Sequence, residues 1–170
     1  MKNITRGLLL AYSGLIFSVS GADGSVDLEV RLVHGTCSLT TDSKNMQVSL
    51  GNISRTELAS IGTVSKPVSF TIKGTDCVPD MVTWFRFDGT IDEQDSFALN
   101  EGSEAKGVGV RLLEYDGIQA KRPNTSSGYG TYSDGNGTFS QSYKVQYIAL
   151  SDQVTPGAAN VTAQLNLVYK

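Results

Sequence analysis

Short runs of alternating apolar and polar residues recur along the chain, and turn residues separate them. A period of two is the pattern of a β-strand with one buried face. The runs cover residues 26–32, 48–50, 68–72, 81–87, 108–113, 143–150 and 161–169. About seven short strands, each bounded by Gly, Asp, Asn or Pro, predict an all-β sandwich of the immunoglobulin type. The only helical expectation is a single turn within residues 55–61.

The beginning of the chain has a different pattern. Lys2 and Arg6 precede a short apolar stretch, and small residues follow from Ser18 to Ala22. This order is that of a secretory signal peptide, and the apolar stretch is too short to cross a bilayer. We expect a signal peptide over residues 1–21, cleaved after residue 21 or 22. A buried N-terminal helix is the alternative.

Composition and charge exclude several classes of function. Hydrophobic residues make up 39% of the chain and charged residues 18%, as in a folded globular domain. The net charge of −3 argues against nucleic acid or an anionic membrane as partner. One His and two Cys are too few for a zinc site without a carboxylate ligand. We expect no cofactor, no metal and no enzymatic activity. A Ser/His/Asp or Cys/His nucleophile system needs a histidine as its base, and His34 is the single histidine of the chain.

Export changes how the two cysteines are interpreted. In an oxidising compartment Cys37 and Cys77 should pair, because the chain has no other cysteine, and two free thiols are the alternative. The Gly- and Ser-rich run 122–138 is expected to be an exposed loop. Tyr129 and Tyr132 in it are candidates for a binding surface.

The two ends of the mature chain each carry a regular apolar face. Residues 26–32 would form an aggregation-prone edge strand if left in water. They form either the first strand of their own sheet or a strand added to the sheet of another molecule. Residues 161–169 make an equally regular strand, and no further strand follows to cover it. If the first run is detached, a hydrophobic groove stays open between the sheets.

Several motifs in a fixed order identify a family. They are the alternating run before Gly35-Thr36-Cys37, then Val48-Ser49-Leu50-Gly51, Phe70-Thr71-Ile72 before Cys77, Gly107-Val108-Gly109-Val110, Tyr147-Ile148-Ala149, Pro156-Gly157-Ala158-Ala159 and the penultimate Tyr169. The chain resembles a pilin subunit of the chaperone–usher pathway, similar to the minor, adaptor-like subunits of type 1 and P pili. The resemblance covers the whole mature chain.

The resemblance implies an incomplete immunoglobulin-like sandwich that lacks its last strand. Residues 22–35 would be an N-terminal donor-strand extension and residues 36–170 the pilin domain. A periplasmic chaperone would lend a strand to the groove, and at the outer-membrane usher the extension of the next subunit would replace it. The donor side chains would be Val26, Leu28, Val30 and Leu32, with Val30 where the family often has Gly. The groove and the chaperone contact would involve Gly157, Val161, Ala163, Leu165, Leu167, Tyr169 and Lys170.

By this resemblance the chain is a structural subunit of a fimbrium that supports cell adhesion. It would be a minor or adaptor subunit, exported through the periplasm to the cell surface. The alternative is a carbohydrate-binding adhesin module of the pilus tip. Its candidate residues are Trp84, Phe85, Tyr129 and Tyr132 for stacking on sugars, and Asp88, Asp92, Glu93 and Asp95 for sugar hydroxyls or calcium. The simpler interpretation of these residues is that Trp84 lies in the core and that the acidic residues form a solvated turn.

Overall fold

Ten strands form two sheets in a computed structural model that describes residues 25–30, 37–126 and 128–169. The predicted signal peptide, Leu32, His34 and Lys170 lie outside the described residues. The strands are β1 (Ser25–Val30), β2 (Ser38–Leu39), β3 (Asn45–Ser49), β4 (Val68–Thr75), β5 (Val82–Asp88), β6 (Val108–Leu113), β7 (Ala120–Lys121), β8 (Thr131–Tyr132), β9 (Phe139–Ala149) and β10 (Val161–Tyr169). A four-residue helix α1 (Thr41–Lys44) and a 3₁₀ turn (Glu93–Asp95) complete the regular structure.

The two sheets pack face to face with five strands each. One has the order β3-β1-β10-β5-β8 and the other β2-β4-β9-β6-β7. The predicted all-β sandwich is confirmed. The predicted turn within residues 55–61 is present, since the Leu58 amide donates to the Arg55 carbonyl, but the one α-helix of the described part lies elsewhere, at α1.

Aromatic side chains from both sheets meet in the centre of the sandwich. Phe85 and Phe87 of β5 are fully buried, and Tyr143 of β9 lies between them and Phe70 of β4. The rings of Phe87 and Tyr143 meet edge to face with their centroids 5.1 Å apart. Such pairs contribute about 0.5–1.5 kcal/mol each beyond the area they bury. This cluster joins the sheet that contains β1 to the opposite sheet.

The expectation that Trp84 lies in the core is wrong. Along β5 the buried positions are Thr83, Phe85 and Phe87, so Trp84 shares the outer face of the sheet with Arg86 and is half-buried there. Gly130 lies close to the indole, and a Cβ on Gly130 would lie 3.1 Å from Trp84 Cε2. The alternation along β5 places Trp84 on the outer face of the sheet. There Gly130 lies beside the indole ring, and the core does not cover it.

The predicted disulfide between Cys37 and Cys77 is present. It connects Cys37, the residue before β2, to Cys77 in the loop that follows β4, with 4.1 Å between the two Cα atoms. The hydroxyl of Tyr169 hydrogen-bonds the backbone of Cys37. Cys37 therefore lies beside the C-terminal end of β10, and this position limits where residues 25–30 can reach.

Candidate functional site

β1 lies in the groove beside β10 and completes the sheet of its own chain. It pairs in parallel with β10, from Val26 opposite Val161 to Val30 opposite Leu165. Its other edge pairs antiparallel with β3. The expectation that the chain cannot close its own sandwich is therefore wrong for this structure, and residues 25–30 are a strand of their own sheet.

The side chains of β1 fill the space between the sheets. Val26 and Leu28 are buried, with 6% and 5% of their surfaces exposed. They face Phe70, Phe97 and Val110 across a residual cavity of about 10 Å³. A cavity of that size has room for about one water molecule at most. The groove and these two side chains therefore match closely, and each burial contributes about 1.5–3 kcal/mol.

The predicted groove-lining residues of β10 share its inner face. Four of them are buried and Tyr169 is half-buried; the four are Val161, Ala163, Leu165 and Leu167. Gly157 lies before the strand, with a φ of 149°. A Cβ there would lie 2.5 Å from the Cβ of Glu104, so the close approach of the two loops requires glycine.

Asn160 holds the beginning of β1, and it is not among the predicted site residues. Its Oδ1 accepts hydrogen bonds from the Ser25 amide at 2.9 Å and from the Ser25 hydroxyl at 3.2 Å. Asn100 in turn binds the backbone amide and the hydroxyl of Thr162. A polar residue just before a strand carries no sequence signal that distinguishes this role from an ordinary turn.

The direction of β1 follows from the length of the connection to Cys37. Five Cα–Cα steps separate Leu32 from Cys37 and span at most about 18 Å. The nine residues of β10 extend over about 26 Å. Cys37 lies at the Tyr169 end of β10, so an antiparallel β1 would leave Leu32 at the Val161 end, beyond the reach of this connection. Within one chain, residues 25–30 can occupy the groove only in the parallel direction.

An open cavity continues the line of β1 at the Val161 end of the sandwich. Its volume is about 290 Å³, and its walls include Ile53, Leu58, Val108 and Tyr147. Burial raises the pKa of Tyr147, whose hydroxyl donates to the Ala159 carbonyl at 3.0 Å. β1 begins at Ser25, and the described residues leave this space unfilled. A longer or differently directed strand has further room here.

Two charged side chains lie buried on the far side of the core from β1. Lys121 of β7 is 3% exposed and Glu114 is 4% exposed. Among the described residues neither the Lys121 Nζ nor the Glu114 Oε2 has a hydrogen-bond partner, although the ammonium lies 5.7 Å from the centre of the Phe87 ring. Burial lowers the pKa of Lys121 to about 8 and raises the pKa of Glu114.

This lysine predicts a pH dependence of stability. Its pKa is about 8 in the folded chain and 10.5 in the unfolded chain, so between these values the unfolded state binds more protons and stability rises with pH. We expect the free energy of unfolding of Lys121→Met, minus that of the parent, to fall by about 1–3 kcal/mol from pH 8 to 10.5. Urea unfolding at several pH values measures this difference. Lys66→Met controls for the loss of one positive charge, and a difference independent of pH would contradict the prediction.

The candidate residues for sugar or calcium binding do not form one site. Phe85 is fully buried, whereas Tyr129 and Tyr132 are exposed. Asp88 already accepts from Arg86 and Asn166, and Asp95 pairs with Arg122. In the described part of the chain no group of three or more His, Cys, Asp or Glu residues is placed to hold a metal ion. No helix of the described residues is long and apolar enough to span a membrane.

Comparison with known proteins identifies the family. Residues 24–170 match the model of the family described as "Fimbrial protein". Long polar fimbria protein A of Salmonella typhimurium is 29% identical, with 100% of this chain and 98% of the relative covered. The laminin-binding fimbrial subunit ElfA of Escherichia coli O157:H7 is 31% identical, with 86% and 84% covered.

Solved structures show the same fold. A type I fimbria protein of Burkholderia pseudomallei superposes with a TM-score of 0.60 at 25% identity, over 87% of this chain and 94% of that one. A subunit of a chaperone–usher pilus, from a structure that addresses rod uncoiling, gives a TM-score of 0.63 at 19% identity, over 98% and 100%. This chain belongs to the fimbrial protein family and is a structural, non-enzymatic protein.

Proposed function

We propose that this subunit polymerises by donor-strand exchange, in which residues 25–32 of one copy replace β1 in the groove of another. The observation that carries the proposal is the parallel pairing of β1 with β10. The last strand of an immunoglobulin-type sandwich runs antiparallel to its neighbour, and parallel pairing is slightly less stable per residue. A donor strand from another chain is free of the short connection to Cys37 and can take the antiparallel direction.

The direction of the donor decides whether a fibre can grow. A parallel donor would leave the groove at the Tyr169 end, and its own Cys37, also at a Tyr169 end, would follow within about 18 Å. Both neighbours of a subunit would then compete for the same end. An antiparallel donor leaves at the Val161 end, so the donated and the accepted strands use opposite ends of each subunit. Only this arrangement repeats along a line.

The alternating apolar pattern of the extension suits both directions. Val26, Leu28, Val30 and Leu32 alternate Val and Leu, so the reversed sequence presents the same two residue types to the groove. Side chains at every second position keep one face inward whichever way the strand runs. The cavity of about 290 Å³ beside Ile53 and Tyr147 would receive the last apolar residue of an antiparallel donor.

The chaperone, the usher and the export route are parts of the same proposal. A nascent subunit whose β1 is not yet paired exposes an apolar groove, and a lent strand in the periplasm would cover it. Exchange at the outer-membrane usher would then deliver the subunit to the surface fimbrium. We place it inside the fibre as a minor or adaptor subunit, because a donor extension is superfluous in a terminal adhesin. Its copy number per purified fibre, counted by quantitative mass spectrometry, tests that position.

A peptide of residues 25–33 tests the exchange itself. A mature chain lacking residues 22–35 should be unstable or self-associating, and the peptide should restore a cooperative thermal transition. Trp84, the single tryptophan, lies opposite Val168 near the Tyr169 end of β10. In the antiparallel direction the N-terminus of the bound peptide lies at this end. A quencher there should therefore reduce the fluorescence of Trp84 more than a quencher on the C-terminus. The reverse order would contradict the antiparallel donor, and a stable truncated monomer would contradict the exchange.

A second candidate function, recognition of a host surface, has one observation in its favour. Tyr115 and Tyr129 are about half exposed and meet edge to face, with 6.3 Å between ring centres. The Gln119 amide donates to the Tyr129 hydroxyl, and the relative ElfA is named laminin-binding. Binding of the purified chain to immobilised laminin, compared with Tyr115→Ser/Tyr129→Ser, tests this candidate.

A further inference from the structure

The connection between donor strand and domain also determines which surfaces of neighbouring subunits meet. This step rests on the proposed exchange. In an antiparallel donor, Leu32 lies at the Val161 end of the acceptor, and the donor's own Cys37 follows within about 18 Å. The donor's Tyr169 end must therefore lie against the acceptor's Val161 end. Two folded domains held this closely share a contact surface in addition to the exchanged strand.

The donor side of that contact is the loop after β4. The disulfide fixes Cys77 to Cys37, where the connection from the donor strand enters the domain. Val78 is the next residue, and 55% of its surface is exposed. The Ser133 hydroxyl donates to the Val78 carbonyl at 2.6 Å and holds the turn. An apolar side chain is thus presented in a fixed position at the end that faces the neighbour.

The loop also carries negative charge. Asp76 and Asp80 flank Val78 and have left-handed backbone angles, with φ of 57° and 60°. Residues 74–81 contain no Lys or Arg. Asp80 is exposed, and within the described residues its carboxylate makes no ion pair. The loop therefore offers one apolar contact beside an unpaired carboxylate.

The acceptor side has a second cavity, which shares Arg55, Leu58 and Pro156 with the cavity that the donor strand would enter. It lies next to the cavity in line with β1, has a volume of about 580 Å³, and is lined by residues that include Leu58, Val154 and Pro156. Arg55 lies at its rim, and in the described part of the chain its guanidinium makes no ion pair. Asp152 also lines this cavity, and its Oδ1 accepts a hydrogen bond from the Ile61 amide at 2.9 Å. The cavity can therefore receive an apolar side chain, and Arg55 offers a cation to the carboxylate of the loop.

We infer that the Val78 loop of one copy docks into the Arg55–Pro156 cavity of the next copy of this chain, with Asp80 facing Arg55. Val78 would bury its exposed surface against Leu58 and Pro156. The ion pair would fix the rotation of one domain relative to the next around the exchanged strand. Val78 lines neither the groove nor the cavity that the donor strand would enter, so its replacement should leave strand capture intact.

Two measurements on the full mature chain separate the contact from the groove. The first is the rate of oligomer formation after dilution from urea, followed by size-exclusion chromatography with light scattering. The second is capture of a fluorescent peptide of residues 25–33, followed by anisotropy. Val78→Ser should slow oligomer formation roughly five- to tenfold and leave peptide capture unchanged. Ile118→Ser is the matched control, because Ile118 is 83% exposed but lies in the β6–β7 connection.

A charge reversal tests the pairing of Arg55 with Asp80. Arg55→Glu alone and Asp80→Arg alone should each slow oligomer formation about two- to fivefold, and the double variant should recover most of the parent rate. Unchanged oligomer formation by Val78→Ser would overturn the inference, as would a parent chain that captures peptide but forms no oligomers with itself. Failure of every variant to capture peptide would instead overturn the exchange on which the inference rests.

Discussion

Replacing both Cys37 and Cys77 by alanine is expected to lower the free energy of unfolding by about 4 kcal/mol. The disulfide closes a loop with a sequence separation of 40 residues. Opening a loop of that length returns about 4 kcal/mol of chain entropy to the unfolded state. Single domains have only about 5–15 kcal/mol of stability in total, so the variant should be close to unfolding.

Urea denaturation of the parent and the double-alanine variant, with and without a reducing agent, measures this loss. Reduction should bring the parent to the stability of the variant and leave the variant unchanged, which separates the disulfide from side-chain packing. The variant should also form oligomers more slowly, since Cys37 then no longer ties the donor connection to the Val78 loop. A loss below about 1 kcal/mol would mean that packing alone fixes the two segments.

The alternation of side chains made most of this fold predictable. β6 and β10 occupy residues 108–113 and 161–169, where the pattern placed them. The two-residue strands β2, β7 and β8 were not predicted, because two residues give no period to detect. Helix α1 has four residues, about one turn, which is likewise too short to show a period. Such elements depend on the neighbours they pair with, and those neighbours are distant in sequence.

The direction and the partner of β1 were beyond the reach of a pattern. Val26 and Leu28 alternate with Asp27 and Glu29 whether the strand pairs with its own chain or another, and whether it runs parallel or antiparallel. What decides the direction within one chain is a distance, the short connection to Cys37 compared with the length of β10. The role of Asn160 was hidden similarly, since its partner Ser25 is 135 residues away.

Leu28→Asp is expected to expel β1 from its groove and to lower the free energy of unfolding by at least about 3 kcal/mol. Leu28 is 5% exposed and lies between the two sheets. The substitution removes about 1.5–3 kcal/mol of apolar burial and would place a carboxylate without a partner in the same space. The strand should leave instead, so that the loss approaches that of deleting residues 22–35. Thermal unfolding of the three chains compares these losses.

Rescue by a strand in trans distinguishes an emptied groove from a damaged core. Adding the peptide of residues 25–33 to Leu28→Asp should restore most of the lost stability, since every lining residue of the acceptor is still present. A peptide carrying the same substitution should restore none. Glu29→Ser is the matched control, because Glu29 is exposed on the outer face of the same strand and should change stability by no more than about 0.5 kcal/mol. If the unaltered peptide fails to stabilise Leu28→Asp, residues 25–30 are a permanent part of the core and the groove does not open to another chain.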